Sequence, residues 1–212
     1  MEIRAGYHRR LREIQDEILV MGSMVDKALS SSVEALKARD IDSAKRIIAD
    51  DEKVNRKRFD IEERCIQLIA TQQPMAGDLR VIIAVLNIIV ELERIGDYAE
   101  GIARIVVMIG DEPPLKPLID IPRMAAKATT MLQRSLEAFI NRDAETARQV
   151  AAQDDEIDSL YDQVFRELLT FMIEDPRTIT RATRLIWVAH NLERSADRVT
   201  NICERVEFAV TG

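Results

Sequence analysis

Glu93 and Asp97 stand four residues apart, and Glu193 and Asp197 repeat that spacing a hundred positions later. On a helix this spacing puts two carboxylates on one face, about 5–6 Å apart between Cβ atoms. Asp51 with Asn55, and Asp154 with Asp158, have the same spacing. Like charges so placed destabilise a helix by about 0.2–0.5 kcal/mol, and a polyvalent cation reverses the sign of that interaction. The eight residues are therefore candidate metal ligands. Their oxygen donors suit hard or borderline divalent or trivalent ions (Mg, Mn, Fe or Zn).

The alternatives are bland but real. A single Glu-x-x-x-Asp arises by chance on acidic helices, and Arg94 and Arg194 can neutralise part of the charge in surface ion pairs. A di-iron carboxylate enzyme needs Glu-x-x-His on paired helices. Here Gly96 and Ala196 follow Glu93 and Glu193 by three, while His190 precedes Glu193 and matches Val90 in the first copy. No glycine-rich phosphate loop and no Ser/His/Asp or Cys/His set recurs, so no catalytic residue is assigned and an enzyme is not expected.

Apolar residues repeat at three, four and seven along most of the chain: Ile14, Ile18, Met21, Val25 and Leu29 in one stripe, Val54, Ile61 and Leu68 in another. That is the spacing of buried helix faces, and 47% apolar with 32% charged residues fits an all-α protein. Helices are expected at 7–38, 41–71, 76–109, 119–141, 144–174 and 177–209. Asp40 is placed to cap the second, and Pro74 to part the second from the third. Met21, Leu29, Arg39, Asp40 and Asp51 return as Met124, Leu132, Arg142, Asp143 and Asp154, a constant offset that marks internal duplication. The expected architecture is two tandem three-helix bundles: residues 1–110, a proline-rich linker at 111–117, and residues 118–212.

Duplication sharpens the metal reading. In an antiparallel hairpin about Pro74, Asp51/Asn55 comes level with Glu93/Asp97. About the Asp175–Pro176 turn, Asp154/Asp158 comes level with Glu193/Asp197. The mismatch of Asn55 against Asp158 predicts two related but unequal sites. Net charge is −7, which opposes nucleic-acid binding. Val81–Val90 is too short to span a bilayer, so a cytoplasmic location is expected. Cys65 and Cys203 read as small buried apolar residues and Trp187 as core.

The stretches Glu91-Leu-Glu-Arg-Ile-Gly-Asp97, Gln73-Pro-Met-Ala-Gly-Asp-Leu-Arg80, Phe171-Met-Ile-Glu-Asp-Pro-Arg-Thr178 and Asn201-Ile-Cys-Glu204 resemble the PhoU family. The resemblance runs from about Met21 to Glu207 through both copies. It implies the PhoU-like fold and negative regulation of phosphate uptake and phosphate-starvation signalling. The partners it implies are the ATPase subunit of the phosphate-specific ABC transporter and the PhoR sensor kinase that acts on PhoB. They would hold the protein at the inner face of the cytoplasmic membrane. It also implies multinuclear metal binding at Glu93/Asp97, Asp154/Asp158 and Glu193/Asp197. A homodimer is left open, as are a carboxylate metalloenzyme and a helical scaffold whose acids only confer solubility.

Overall fold

A computed structural model describes residues 2–212, with side chains from Gly6 onward. Met1, the first residue of the expected first bundle, lies outside the described residues. The chain forms α1 (Glu2–Ala38), α2 (Ile41–Gln72), α3 (Ala76–Ile109), α4 (Asp120–Asn141), α5 (Ala144–Ala151), α6 (Asp154–Glu174) and α7 (Ile179–Thr211), with a 3₁₀ turn at Pro176–Thr178. No strand occurs among the described residues.

The local signals work as chemistry requires, and they work twice. At the end of α1, Arg39 takes a left-handed φ of 55° and the Asp40 N–H donates to Ala35 O at 2.9 Å. The Asp40 side chain then caps α2 by accepting from the Ser43 N–H. Arg142 (φ 53°) and Asp143 repeat this turn, with Asp143 capping α5 through the Glu145 and Thr146 N–H groups. The duplication therefore extends to turn geometry.

The expected helix 144–174 is instead broken at Ala152–Gln153. The Gln153 N–H donates to Val150 O at 3.0 Å and Glu156 N–H to Gln153 O at 3.2 Å, so bonds to the third preceding residue tighten the chain and restart it. The restart puts Asp154, Asp155 and Glu156 in the first turn of α6, where the helix dipole favours anions. The matching first-copy run ends in Lys53 and continues unbroken.

In the first copy α2 packs on α1 and α3; in the second, α5 and α6 pack on α7 and α4. The copies join through α3 against α7 and α1 against α4. Both joints are antiparallel: Glu91 meets Asn201 while Gly101 meets Asn191, and Asp26 meets Gln133 while Gly22 meets Leu136. This is the arrangement a pseudo-twofold axis between the copies produces. At Gly22 a Cβ would lie 2.2 Å from Leu136 Cδ1. Gly22→Val is accordingly expected to cost about 1–3 kcal/mol through overpacking, seen as a lower urea midpoint; an unchanged midpoint would refute the close approach.

The segment between α3 and α4 is strapped down. Arg184 bonds Glu112 at 3.1 Å, Lys116 pairs with Glu167, and Leu115 and Leu118 pack on the core. Cys65 and Cys203 are buried, and burial pushes both thiols up to about 12. Trp187 corrects the expectation of a core residue: it is 51% exposed, on the outer side of a helix whose buried face is completed by Leu185, Val188 and Ala189.

Candidate metal centre

In each copy the outer helix and the last helix lie side by side with their acids level. Leu92, Gly96, Leu192 and Ala196 are buried, so the residue after each turns its carboxylate to the rim. Across the first hairpin a Cβ on Gly96 would lie 3.4 Å from Asp51 Oδ1 and 3.3 Å from Val54 Cγ1. The small residue thus lets α2 approach closely enough for Asp51 to face the α3 acids. Asp51 lies within electrostatic reach of Glu93 and Asp97, and Asp154 within reach of Asp158, Glu193 and Asp197, as the hairpin register leads one to expect.

The second cluster is the more frustrated of the two. Burial, with the charges of Asp158, Asp197 and Glu193, pushes the Asp154 carboxyl up to about 6. Burial and Asp197 also raise Asp158 and Glu193. Asp154 Oδ1 and Glu193 Oε2 are buried without a hydrogen-bond partner, a costly state for an acceptor. Asp197 is held at 2.6 Å by Arg194, and His190 Nδ1 stands 3.5 Å from Glu193 Oε2.

The first cluster is partly satisfied from within. Asn55 Nδ2 donates to Asp51 Oδ2 at 3.0 Å, and Arg58 Nη1 to Glu93 Oε1 at 3.2 Å. Burial and then Glu93, Asp51 and Glu100 still push Asp97 up to about 6. As the side chains stand, no three His, Cys, Asp or Glu among the described residues form a group able to hold a metal ion. The donor chemistry and the oxygens without a hydrogen bond fit a cation, whereas the side chains would have to move closer together to ligate one.

Raised carboxyls make the native state take up protons. For Asp97 and Asp154 the stabilisation is complete below the unfolded carboxylate pKa of about 4 and is lost as pH rises through about 6. Metal-free protein is therefore expected to be more stable at pH 5 than at pH 7. Discounted for solvent exposure, Asp154 contributes about 1 kcal/mol. Glu17, Asp40 and Asp143 have lowered pKa values and act oppositely, but only at more acid pH. Urea midpoints at the two pH values check this; a lower midpoint at pH 5 would contradict it.

Residues 18–106 match the PhoU domain, and residues 121–206 match it again. The chain belongs to the PhoU family. It is 40% identical to the phosphate-specific transport system accessory protein PhoU homolog of Aquifex aeolicus, over 88% of this chain and 84% of that protein. The crystal structure of PhoU from Pseudomonas aeruginosa superposes with a TM-score of 0.91 at 34% identity, covering 96% of this chain and 98% of that one. That of the phosphate transport system regulatory protein PhoU from Streptococcus pneumoniae gives 0.91 at 30%, covering 97% of each. The tandem PhoU architecture is thus that of the fold described above.

Sequence reasoning missed four residues around these PhoU clusters: Arg58, Glu100, Arg104 and Tyr161. Arg104 pairs with Glu100 at 2.6 Å beside Asp51, and the Tyr161 ring lies tilted against that of His190, 6.0 Å between centroids, beside Glu193. A signal for Arg58 was present. It lies two helical turns beyond Asp51, and the duplication aligns it with Tyr161, so one copy has a cation where the other has a phenol.

Proposed function

We propose that this chain is a negative regulator of phosphate uptake and phosphate-starvation signalling. It acts as a metal-binding adaptor between a phosphate ABC transporter ATPase and a PhoR-type sensor kinase, at the inner face of the cytoplasmic membrane. Membership of the PhoU family through both copies carries the reading, supported by relatives named for the phosphate-specific transport system. No helix among the described residues is long and apolar enough to cross a membrane, so a place at the membrane would come through partners.

No catalytic step is included. Asp154, Asp158, Glu193 and Asp197 would hold the metal in the second copy, and Asp51, Asn55, Glu93 and Asp97 in the first. A bound cation would supply charge neutralisation between the outer helix and the last one. Protein residues do the rest: Arg194 orients Asp197, and buried Leu192 and Ala196 fix the backbone that presents the acids. The second site is expected to load first, since Asn55 and Arg58 already answer part of the first site's charge.

Deleting the gene should leave a phosphate-starvation reporter on in phosphate-replete medium, and restoring this chain should switch it off. Normal repression in the deletion strain would overturn the regulatory reading.

A further inference from the structure

The pseudo-twofold axis that relates the copies passes between α3 and α7, and it places two equivalent polar nests along that joint. In the first nest Glu91 is the acceptor. Arg94 Nη1 and Arg198 Nη1 each lie 3.4 Å from its carboxylate, and Asn201 Nδ2 donates to it at 3.1 Å. The offset of 100 residues puts Asn191 in the place of Glu91, Arg194 in that of Arg94, Tyr98 in that of Arg198 and Gly101 in that of Asn201. The fold brings this second set together too. A Cβ on Gly101 would lie 3.3 Å from Asn191 Nδ2, and the Tyr98 hydroxyl stands beside Arg194, whose pKa it raises.

The second nest keeps its donors and has no carboxylate of its own. Asn191 is an amide where the first copy has an acid, and it is one methylene shorter. Arg194 turns Nη1 to Asp197 at 2.6 Å, which leaves further guanidinium N–H groups for another acceptor. Arg198, one helical turn on, has a buried Nε without a hydrogen-bond partner. Arg194 is 36% exposed, so an acceptor can reach it from solvent. The neighbouring acids do not forbid one. In the first copy Glu91 is held beside Glu93 and Asp97, the counterparts of Glu193 and Asp197, and cations bound at those acids would only lessen the repulsion.

We infer that Asn191, Arg194 and Tyr98 receive a carboxylate from outside the chain, an Asp or Glu side chain of a protein partner, in the position that Glu91 takes in the first copy. The first copy is the template, because its donors already hold a carboxylate, the planar acceptor that a guanidinium fork fits. A single half-exposed ion pair binds weakly by itself. A free small acid would therefore scarcely fill the nest, whereas a side chain delivered within a larger interface would. Arginine is among the residues on which such interfaces depend most. This deepens the adaptor reading and rests on it, naming one contact through which a partner would be engaged.

The test is nuclear magnetic resonance of the full chain, isotopically labelled at its arginine nitrogens and stripped of metal on a chelating resin. It is titrated at constant ionic strength with acetyl-Gly-Glu-Gly-amide, the Gln analogue of that peptide, and inorganic phosphate. A saturable shift of the Arg194 Nε–H with the Glu peptide, and none with the Gln peptide, is expected. Asn191→Glu, which supplies the acceptor internally, should weaken that binding about fivefold, and Tyr98→Phe, which removes a donor without adding charge, about threefold. Circular dichroism should show both variants folded. In a deletion strain Asn191→Glu should repress a phosphate-starvation reporter less completely than the unaltered chain does. No saturable shift, an equal response to the Gln peptide, or tighter binding of phosphate would overturn the proposal. So would equal shifts at the exposed Arg9 and Arg177, unweakened binding in Asn191→Glu, or full repression by that variant. Because the titration needs neither metal nor partner, it can fail while metal uptake and phosphate signalling stand, and the reverse.

Discussion

Arg198→Ala is expected to destabilise the protein by about 2 kcal/mol, because it strips a largely buried carboxylate of its less exposed cation at the joint between the copies. Arg198 Nη1 lies 3.4 Å from Glu91 Oε2, and both side chains are only 14% exposed. Removing one member of such a pair leaves the other charge uncompensated, which costs about 3–5 kcal/mol when burial is complete. Here Asn201, at 3.1 Å, and the more exposed Arg94, at 3.4 Å, soften the loss. The double variant E91Q/R198M should recover most of the stability, since a neutral, well-packed pair escapes the desolvation cost. Urea unfolding of the single and double variants makes the comparison. If Arg198→Ala unfolds at the unaltered midpoint, the α3–α7 joint is not held by this pair.

The second large effect concerns the inequality of the two clusters. Arg58→Gln should raise Mn²⁺ affinity at the first cluster by about tenfold, removing a cation whose competition is worth roughly 1.4 kcal/mol. Asp158→Asn, which gives the second copy the first copy's Asn55 chemistry, should lower affinity there by about 10–100-fold. Mn²⁺ titration followed by electron paramagnetic resonance reads both. Equal affinities before substitution, or no response to Arg58→Gln, would show that the arginine does not set the difference.

Much of this was legible in the residues because it was written twice. Apolar spacing located most of the helices, Asp40 announced its cap and the duplication its counterpart Asp143, and equidistance from the hairpin turns brought Asp51 level with Glu93 and Asp97. Other features depend on tertiary context. The break at Gln153 arises from a local shift to tighter hydrogen bonds, which apolar periodicity does not record. Trp187 escaped because an apolar residue beside a seam position reads as core until the neighbouring helices are placed. The pseudo-twofold joint was illegible for the same reason: nothing in α3 alone says that Glu91 will meet Arg198. At the clusters, residue types named the donors, but only the fold showed that Arg58 answers Glu93 while Asp154 and Glu193 each keep a buried oxygen without a hydrogen bond.

The metal-supported adaptor is tested most directly by elemental analysis of the protein purified without added metal, beside a variant with Asp154, Asp158, Glu193 and Asp197 all changed to Ala. The unaltered chain should carry at least one metal ion per molecule, and the folded variant should lose most of that content. Metal-free unaltered protein, or undiminished content in the variant, would contradict the account.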